Sequence, residues 1–439
     1  MEVNPIVKRA GGYALVGSIS LTAPILGQAV FVPFAIVAIL ALVVVTDGPL
    51  FELFARPGDY EEQRLFGLTS FSLSATALGI LIMFGLPIEI FTVTICLLVF
   101  GNLIEVILRT RGVIEAGAVT GFVVGGVIFG MSGFALTGTF TAESVASLPA
   151  AVALVTTGAL VAAILRTMLF EHDDPLILLS VGLLLWFFTE LGLATSAGQV
   201  AIAIAVTAAL GYISYALDTA SITGMLTGVL LGLLTIILGG YGWFAVLIAF
   251  FAIGGLATKY KYVDKFERGV AEPNQGARGT GNVLSNSAVG LLAVIGYAAT
   301  PTIISINSLI FLFAFCGAIA TALGDTVSSE IGGVYDDPRL ITSFETVAPG
   351  TDGAVTVQGS VAGIGGATVI GVTSLLLFDP IGWLGCIVII AAGIIGMTAD
   401  SIIGATVEGR VLNNQGVNFA ATMVGAIACV GFGVMTGAL

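Results

Sequence analysis

The sequence has little charge, few bases and one histidine. Only 9% of its 439 residues are charged, whereas soluble proteins carry about a quarter, which excludes a soluble globular fold. Fourteen bases against 27 acids give a net charge of −13, so the basic face required for nucleic-acid binding is missing. His172 is the only histidine, and the four cysteines show no metal-ligand spacing, which argues against zinc and nucleophile–histidine sites. No Walker loop, zincin motif or kinase signature occurs.

Long apolar segments dominate what remains. The chain is 57% hydrophobic, and its mean hydropathy is +1.10. Segments of about 17–25 apolar residues can cross a bilayer as helices, and the sequence predicts an all-α polytopic membrane protein with about fifteen spans. The first and eleventh are short enough to be re-entrant. The predicted spans are 11–25, 29–46, 67–85, 88–108, 114–131, 147–166, 175–191, 199–215, 220–238, 242–258, 286–299, 303–322, 356–377, 381–398 and 417–437.

The distribution of bases predicts the orientation of the chain in the membrane. Cytoplasmic loops are enriched in Lys and Arg. With the N-terminus inside and fifteen alternating spans, every Lys and Arg falls on the cytoplasmic side and the C-terminus lies outside. We therefore expect a multi-pass protein of the cell membrane. Acid-rich loops such as 59–62 and 171–174 are typical of proteins from salt-loving archaea.

The two halves of the chain differ. Residues 1–200 form an N-terminal transmembrane region with simple connectors and no functional interpretation. Residues 201–439 form a C-terminal transmembrane domain with three polar, Gly-rich loops at 258–285, 324–356 and 399–416. Gly242-Trp243 followed by Thr258 matches Gly382-Trp383 followed by Thr398 at a constant offset, which predicts an internal repeat in this half.

The first polar loop leads into a helix with a polar face. Arg278, Asn282, Ser285 and Asn286 fall at helical spacings on one side. Polar side chains entering a bilayer are costly unless they line a site, and Arg is suited to bidentate phosphate recognition. The bases at 259, 261, 265 and 268 are interpreted instead as topology anchors beside anionic lipid.

The second loop follows a long apolar span and is rich in acids, hydroxyls and glycines. Asp325 ends the span, and such a carboxylate suits Mg²⁺, which favours oxygen ligands and retained waters. Glu330 points about 140° away from Asp325 on an ideal helix, so a shared ion requires a helix break near Ser329. The glycines of Gly350-Thr351-Asp352-Gly353 allow backbone amides to approach an anion. The alternative is an ordinary helix cap with turns.

The third loop supplies a second carboxylate from a separate helix. Asp400 ends another apolar span, and Asn414 and Asn418 precede the last one. Two acids from different helices are what a metal–phosphate site requires, although a capping Asp with a turn would give the same pattern.

Taken together and in this order, the three loops resemble a known family. The resemblance covers about residues 220–430 and is carried by Arg278 with 282–286, 324–332, 338–342, 350–353, 357–359, 400–406 and 413–418. It is to the transmembrane-protein-19-like family (domain of unknown function 92), which includes plant and cyanobacterial phytyl-phosphate kinases. The chain departs from the family pattern at Asn282, Thr346 and Asp352.

This resemblance implies a membrane kinase that phosphorylates a prenyl monophosphate to the diphosphate with Mg²⁺ and ATP or CTP. Under this hypothesis we expect Asp325, Asp400 and Arg278 to be catalytic and Asp325, Glu330 and Asp400 to hold the metal. The residues expected to bind the nucleotide and substrate are Arg339, Gly350, Thr351, Gly353, Asn282, Asn286, Asn414 and Asn418. The expected partners are the bilayer, the prenyl monophosphate and the nucleotide.

Two other functions fit the same sequence. Many spans, a repeat and Gly-interrupted helices suit a transporter of a small or lipidic solute, but transporter sites usually lie at mid-membrane rather than in loops. A non-enzymatic assembly protein whose polar loops dock a partner is the third interpretation.

Overall fold

A computed structural model describes residues 4–140, 144–168, 174–271, 278–300 and 302–439. His172 and part of the first polar loop lie outside these residues. The described chain is a polytopic all-α membrane protein, as the sequence predicts. Its helices are α1 Pro5–Gly17, α2 Ala23–Leu26, α3 Phe31–Ile39, α4 Gly48–Phe54, α5 Asp59–Glu62, α6 Phe66–Ile80, α7 Ile88–Thr110, α8 Glu115–Gly138, α9 Leu148–Met168, α10 Asp174–Glu190, α11 Ala197–Ala216, α12 Ile222–Leu234, α13 Tyr241–Lys259, α14 Tyr262–Glu267, α15 Thr280–Ala299, α16 Leu309–Gly332, α17 Val357–Leu377, α18 Trp383–Val407 and α19 Asn414–Thr436.

Within the described residues, 13 helices are long and apolar enough to cross a membrane, against about fifteen predicted. The first two predicted spans fall in one interrupted 40-residue stretch, Pro5–Val44. Pro24 and Gly27, with its φ of +54°, break it into short α and 3₁₀ pieces. The predicted span at 175–191 is a shorter apolar helix. The predicted start of the eleventh span, at residue 286, is wrong. Helix α15 begins at Thr280 and is long enough to cross the membrane.

The chain divides into two compact units, residues 1–201 and 202–439. In the first unit, helix α7 packs along helix α8 and also contacts α1, α9 and α10. Small residues allow the close approach of α7 and α8. A Cβ atom at Gly125 would lie 2.8 Å from Ile104 Cγ1, and one at Gly101 would lie 2.9 Å from the carbonyl oxygen of Phe122. The glycines at the contact of α7 and α8 therefore serve packing.

The second unit is built around helix α16, which contacts α13, α15, α17, α18 and α19. Nearly every residue of α16 from Leu312 to Gly324 is buried. Glycines again set the distances between helices: a Cβ atom at Gly363 of α17 would lie 2.8 Å from the carbonyl oxygen of Gly324. This close packing brings the polar ends of α16, α17 and α18 together.

The predicted internal repeat remains a prediction. Helices α13 and α18 both begin near the repeated tryptophans, but Trp243 is 3% exposed whereas Trp383 is 77% exposed. Trp243 packs against Tyr297, Phe315 and Phe378. The two tryptophans therefore occupy different environments.

Candidate functional site at one end of the second unit

The three polar loops meet at one end of the second unit. Arg278, from the first loop, donates from Nη2 to Thr258 Oγ1 at the end of α13 at 3.2 Å. Arg268 pairs with Asp336 of the second loop, with 2.6 Å between Nη2 and Oδ1. The second loop contains a short hairpin of β1 Arg339–Leu340 and β2 Ala354–Val355, which rests on α18. Groups far apart in sequence therefore share one surface.

The centre of this surface is an acid pair on two adjacent helices. The carboxyl groups of Asp325 on α16 and Asp400 on α18 lie within hydrogen-bonding range of each other. Ionised carboxylates only accept hydrogen bonds, and Asp400 Oδ1 is buried with no donor in the described part of the chain. Two carboxylates this close cannot both be ionised unless a proton or cation lies between them. A proton or a cation is therefore needed between the two carboxyl groups.

Arg278 lies close enough to the acid pair for its charge to act on Asp325. Its guanidinium attracts the Asp325 carboxylate, and its backbone is fixed by a bridge to Ala220. The Arg278 amide donates to the carbonyl oxygen of Thr219 at 3.0 Å, and its own carbonyl accepts from Ser221 at 3.1 Å. This anchoring holds the arginine at the head of α15. Arg278, Asp325 and Asp400 are thus brought together, and their predicted catalytic role remains a prediction.

Glu408 belongs to the same acidic group, and the sequence argument missed it. It follows the last turn of α18, and its carboxylate interacts electrostatically with Asp352, Asp400 and Asp325. Partial burial, followed by the nearby Asp352 and Asp400 carboxylates, raises the pKa of Glu408 above its ordinary value. Its position one residue beyond an apolar helix was the available signal, since Asp325 and Asp400 likewise follow long apolar segments in the sequence.

Glu330 does not join the acid pair. The break near Ser329 on which its predicted metal role depended is absent: helix α16 continues to Gly332, which leaves Glu330 on another face. There Glu330 is paired with Lys265, whose Nζ also donates to the carbonyl oxygens of Ala257 and Thr258 at 3.3 and 2.8 Å. The interpretation of Lys265 as a lipid-facing anchor is wrong, because its side chain is buried.

The second loop uses its glycines for docking. Gly350 and Gly353 have φ angles of +81° and +75°, which favour glycine. Gly353 lies directly on α18, where a Cβ atom would overlap the carbonyl oxygen of Ser401 and lie 2.6 Å from the amide nitrogen of Ala405. The Thr351 amide donates to the carbonyl oxygen of Ala348 at 3.2 Å, so this amide is already engaged. The structure therefore supports a docked turn better than an anion cradle here.

The remaining predicted residues surround this end without meeting at one point. Arg339 is exposed and donates from Nη1 to the carbonyl oxygen of Phe344 at 3.3 Å. Asn286 is buried and donates from Nδ2 to the carbonyl oxygen of Asn282 at 3.0 Å. Asn418 donates from Nδ2 to Asn414 Oδ1 at 3.1 Å. The two asparagine pairs lie on neighbouring helices, because α15 packs against α19.

No group of three or more His, Cys, Asp or Glu side chains in the described ranges is arranged to hold a metal ion. The Asp325–Asp400 pair offers two carboxylates. Mg²⁺ is commonly held by one or two carboxylates, with waters and substrate phosphates completing its shell. The donor set fits that mode of binding rather than an all-protein metal cage.

Comparison with known proteins agrees with this architecture. The family model described as integral membrane protein DUF92 matches residues 205–426. The chain is 35% identical over 210 residues to the uncharacterized membrane protein MJ0933 of Methanocaldococcus jannaschii, covering 46% of this chain and 82% of that protein. It is 33% identical over 227 residues to the chloroplastic protein VTE6 of Arabidopsis thaliana, covering 48% of this chain and 64% of that protein.

A third relative is the uncharacterized membrane protein sll0875 of Synechocystis, which is 31% identical over 201 residues, 45% of this chain and 76% of that protein. No solved structure matches the chain significantly. The matched region contains Arg278, the acid pair, Glu408 and the docked loop. The chain therefore belongs to the integral membrane protein DUF92 family.

Proposed function

We propose that the protein is a membrane kinase that transfers a phosphoryl group from a nucleoside triphosphate to a prenyl monophosphate and so forms the diphosphate. The observation that carries this proposal is the Asp325–Asp400 pair, which lies beside Arg278 at the end of the second unit where three polar loops meet. Membership of the DUF92 family supports it, because the family resemblance implies this reaction. A phytyl- or geranylgeranyl-like chain is the proposed acceptor tail.

The acid pair supports Mg²⁺ as the cation. Asp400 Oδ1 is buried and finds no donor among the described residues, so an oxygen ligand is available beside a second carboxylate. Asp325 and Asp400 would hold the ion, and the nucleotide phosphates and waters would complete its shell. The bound ion supplies neutralisation of phosphate charge. Glu330 is left out of this proposed ligand set because Lys265 already pairs with it.

The side chains around the pair can orient a phosphate acceptor. Arg278 can bind one phosphate group through parallel N–H donors, and Thr258 fixes the direction of its guanidinium. Arg278 precedes α15, and Asn282 and Asn286 lie in the first two turns of that helix. A monophosphate acceptor carries its own nucleophilic oxygen, so no side chain has to remove a proton. Phosphoryl transfer then depends mainly on positioning and charge neutralisation.

We place the proposed reaction on the cytoplasmic side because of the bases in these loops. The loops that meet here carry Lys259, Lys261, Lys265, Arg268 and Arg278, and such an excess of bases favours the cytoplasmic side. A site on that face of the cell membrane has access to soluble nucleotides. The apolar tail of the acceptor would remain among the membrane-spanning helices.

The proposal is tested by incubating the purified full chain in lipid nanodiscs with labelled ATP or CTP, Mg²⁺ and phytyl or geranylgeranyl monophosphate. The expected result is labelled prenyl diphosphate, with a loss of about 100-fold or more in kcat for Asp325→Asn, Asp400→Asn and Arg278→Gln. Asp337→Asn is the matched control, since Asp337 is exposed in the same loop and Asn tolerates its φ of +57°.

Absence of transfer from either nucleotide by correctly folded protein would overturn the kinase proposal. Solute counterflow by the same protein in liposomes would then favour the transporter interpretation. Normal activity in both Asp variants would leave the reaction standing and refute the assignment of the site.

A further inference from the structure

The first unit contains a cavity of about 640 Å³ whose lining is unusual for this chain. Four arginines line it: Arg9, Arg56, Arg109 and Arg166. The chain has only 14 basic residues and a net charge of −13. Nearly a third of the basic residues of the chain therefore line this one cavity. Such clustering is unexpected, because like charges repel and the chain as a whole is acidic. The volume lies in the range of ligand-binding pockets, about 300–1,000 Å³.

General rules for the placement of bases explain only part of this arrangement. Arg109 and Arg166 lie in the last turns of α7 and α9, where the helix dipole favours a cation. Arg9 lies near the start of α1, where the dipole gives a cation no advantage. The positive-inside rule places bases on one side of a membrane, but it does not direct four of them at one cavity.

Two buried acids contact arginines of this cavity. Glu105 is buried and accepts hydrogen bonds from Arg109 at 2.8 Å and from Arg166 at 3.3 Å. Asp59, close to Arg56, accepts from the Arg56 backbone amide at 2.8 Å. Glu105 is thus one carboxylate shared by two arginines. An anion bound beside Arg109 and Arg166 would add a second negative charge to this group.

Arg166 is held in place while keeping an unused donor. Its Nη2 donates to Asn102 Oδ1 at 2.8 Å, and its guanidinium carbon lies 5.0 Å from the centre of the Phe122 ring. Its Nε atom is buried with no acceptor within the described part of the chain. A fixed guanidinium with an unsatisfied N–H is suited to binding an anion through charge-assisted hydrogen bonds.

Apolar side chains complete the cavity wall, among them Leu98, Val106 and Ile177. We propose that this cavity binds the phosphate group of a phosphate monoester or diphosphate, with the arginine-rich side holding the phosphate. The apolar wall is suited to a hydrocarbon chain attached to that group. This site is separate from the proposed kinase centre, since all of its lining residues lie in the first unit.

The test measures binding to the purified full chain in maltoside micelles by titration calorimetry. The probes are octyl phosphate, inorganic phosphate and octyltrimethylammonium, which has the same chain with the opposite charge. Octyl phosphate should bind and octyltrimethylammonium should not. Arg9→Gln and Arg166→Gln should each weaken octyl phosphate binding about tenfold or more. Lys8→Gln and Arg111→Gln are the matched controls, because neither base lines the cavity, and both should retain the affinity.

Inorganic phosphate that binds as tightly as octyl phosphate would assign the site to a water-soluble phosphate, and much weaker binding would assign it to a lipid. If the Arg166→Gln protein does not fold, the Arg9→Gln protein still tests the proposal. Arg9 lines the same cavity and donates a hydrogen bond to the backbone carbonyl of Ala55. Equal loss in the two control variants, or no loss in a folded Arg9→Gln protein, would overturn the proposal. Arg9→Gln should leave phosphoryl transfer in the kinase assay unchanged, which separates this site from the proposed kinase centre.

Discussion

Lys265 and Glu330 form an ion pair that is closed off from solvent, with side chains 1% and 7% exposed. The lysine comes from short helix α14 in the first polar loop, and the glutamate comes from the last turn of α16. The lysine ammonium also binds two carbonyl oxygens at the end of α13. One buried charge pair therefore ties together three segments that support the proposed site.

Removal of one partner of this pair should destabilise the protein strongly. Lys265→Met leaves the Glu330 carboxylate buried without its counter-ion, and Glu330→Gln leaves the ammonium unpaired. Loss of one member of a buried pair costs about 3–5 kcal/mol. We expect a loss of that size in the free energy of unfolding, measured by SDS titration in mixed micelles.

The control for this change is Lys261→Met. Lys261 is 4.0 Å from Asp264 in an exposed pair, and exposed pairs contribute about 0–1 kcal/mol. The double variant Lys265→Met/Glu330→Gln should lose less stability than the sum of the single variants, by about 1–3 kcal/mol. Strict additivity would contradict the ion pair.

Mg²⁺ should stabilise the protein through the Asp325–Asp400 pair. Binding to the folded state alone adds about 2.7 kcal/mol at a ligand concentration of about 100 times Kd, which raises Tm. Asp400→Asn should abolish this rise without lowering Tm in the absence of Mg²⁺, because the substitution also removes repulsion between two close acids. Differential scanning fluorimetry measures both effects.

Asp379→Asn is the control for the Mg²⁺ experiment, because Asp379 is exposed in the turn between α17 and α18. It should keep the full Mg²⁺ shift. A shift that survives in both Asp325→Asn and Asp400→Asn would place the ion elsewhere.

Gly353→Ala should detach the second polar loop from α18. The substitution strains a backbone with φ +75° and forces a methyl group against Ser401 and Ala405. We expect a loss of about 2–4 kcal/mol in the free energy of unfolding and reduced phosphoryl transfer. Gly409→Ala isolates the backbone cost, since Gly409 has a similar φ of +71° but open space around it; it should cost about 1–2 kcal/mol. Equal losses in the two variants would show that the contact with α18 is unimportant.

The raised pKa of Glu408 predicts a pH dependence of stability. Burial and the carboxylates of Asp352 and Asp400 raise this pKa in the folded state, so folding favours the protonated form. The contribution of Glu408 to stability is therefore greatest below its unfolded pKa and is lost as pH rises through the folded value. Glu408→Gln should remove this loss, whereas Glu408→Asp should keep it. Free energies of unfolding across the acidic range provide the measurement, and identical slopes for both variants would contradict the prediction.

Sequence patterns were sufficient for most of the fold. The length of the apolar segments predicted the membrane helices. The patterns failed where apolar composition hides a break, as at Gly27, or where polar residues continue a helix, as at Thr280–Asn286. Hydropathy indicates whether a segment lies in lipid or in water. It does not indicate where the backbone hydrogen bonds of a helix end.

Part of the candidate site could be predicted from where long apolar segments stop in the sequence. Asp325 and Asp400 were identified because each carboxylate ends an apolar span, and close packing of α16 with α18 then brings them together. The partner of Glu330 was not predictable, since nothing in the local sequence distinguishes a lysine that folds back into the protein from one that faces lipid. Tertiary packing buried Lys265, and a helical-face argument contains no information on that choice.

The close seat of Gly353 on α18 also has a dynamic consequence. Gly353, in the hairpin of β1 and β2, packs directly against Ser401 and Ala405 of α18. Because of this contact, we expect the hairpin and the final turns of α18 to open as one cooperative unit. Their amide hydrogens would then exchange with solvent at a common rate set by a single opening event. The time for which a nucleotide stays bound beside Asp400 would be governed by that same event.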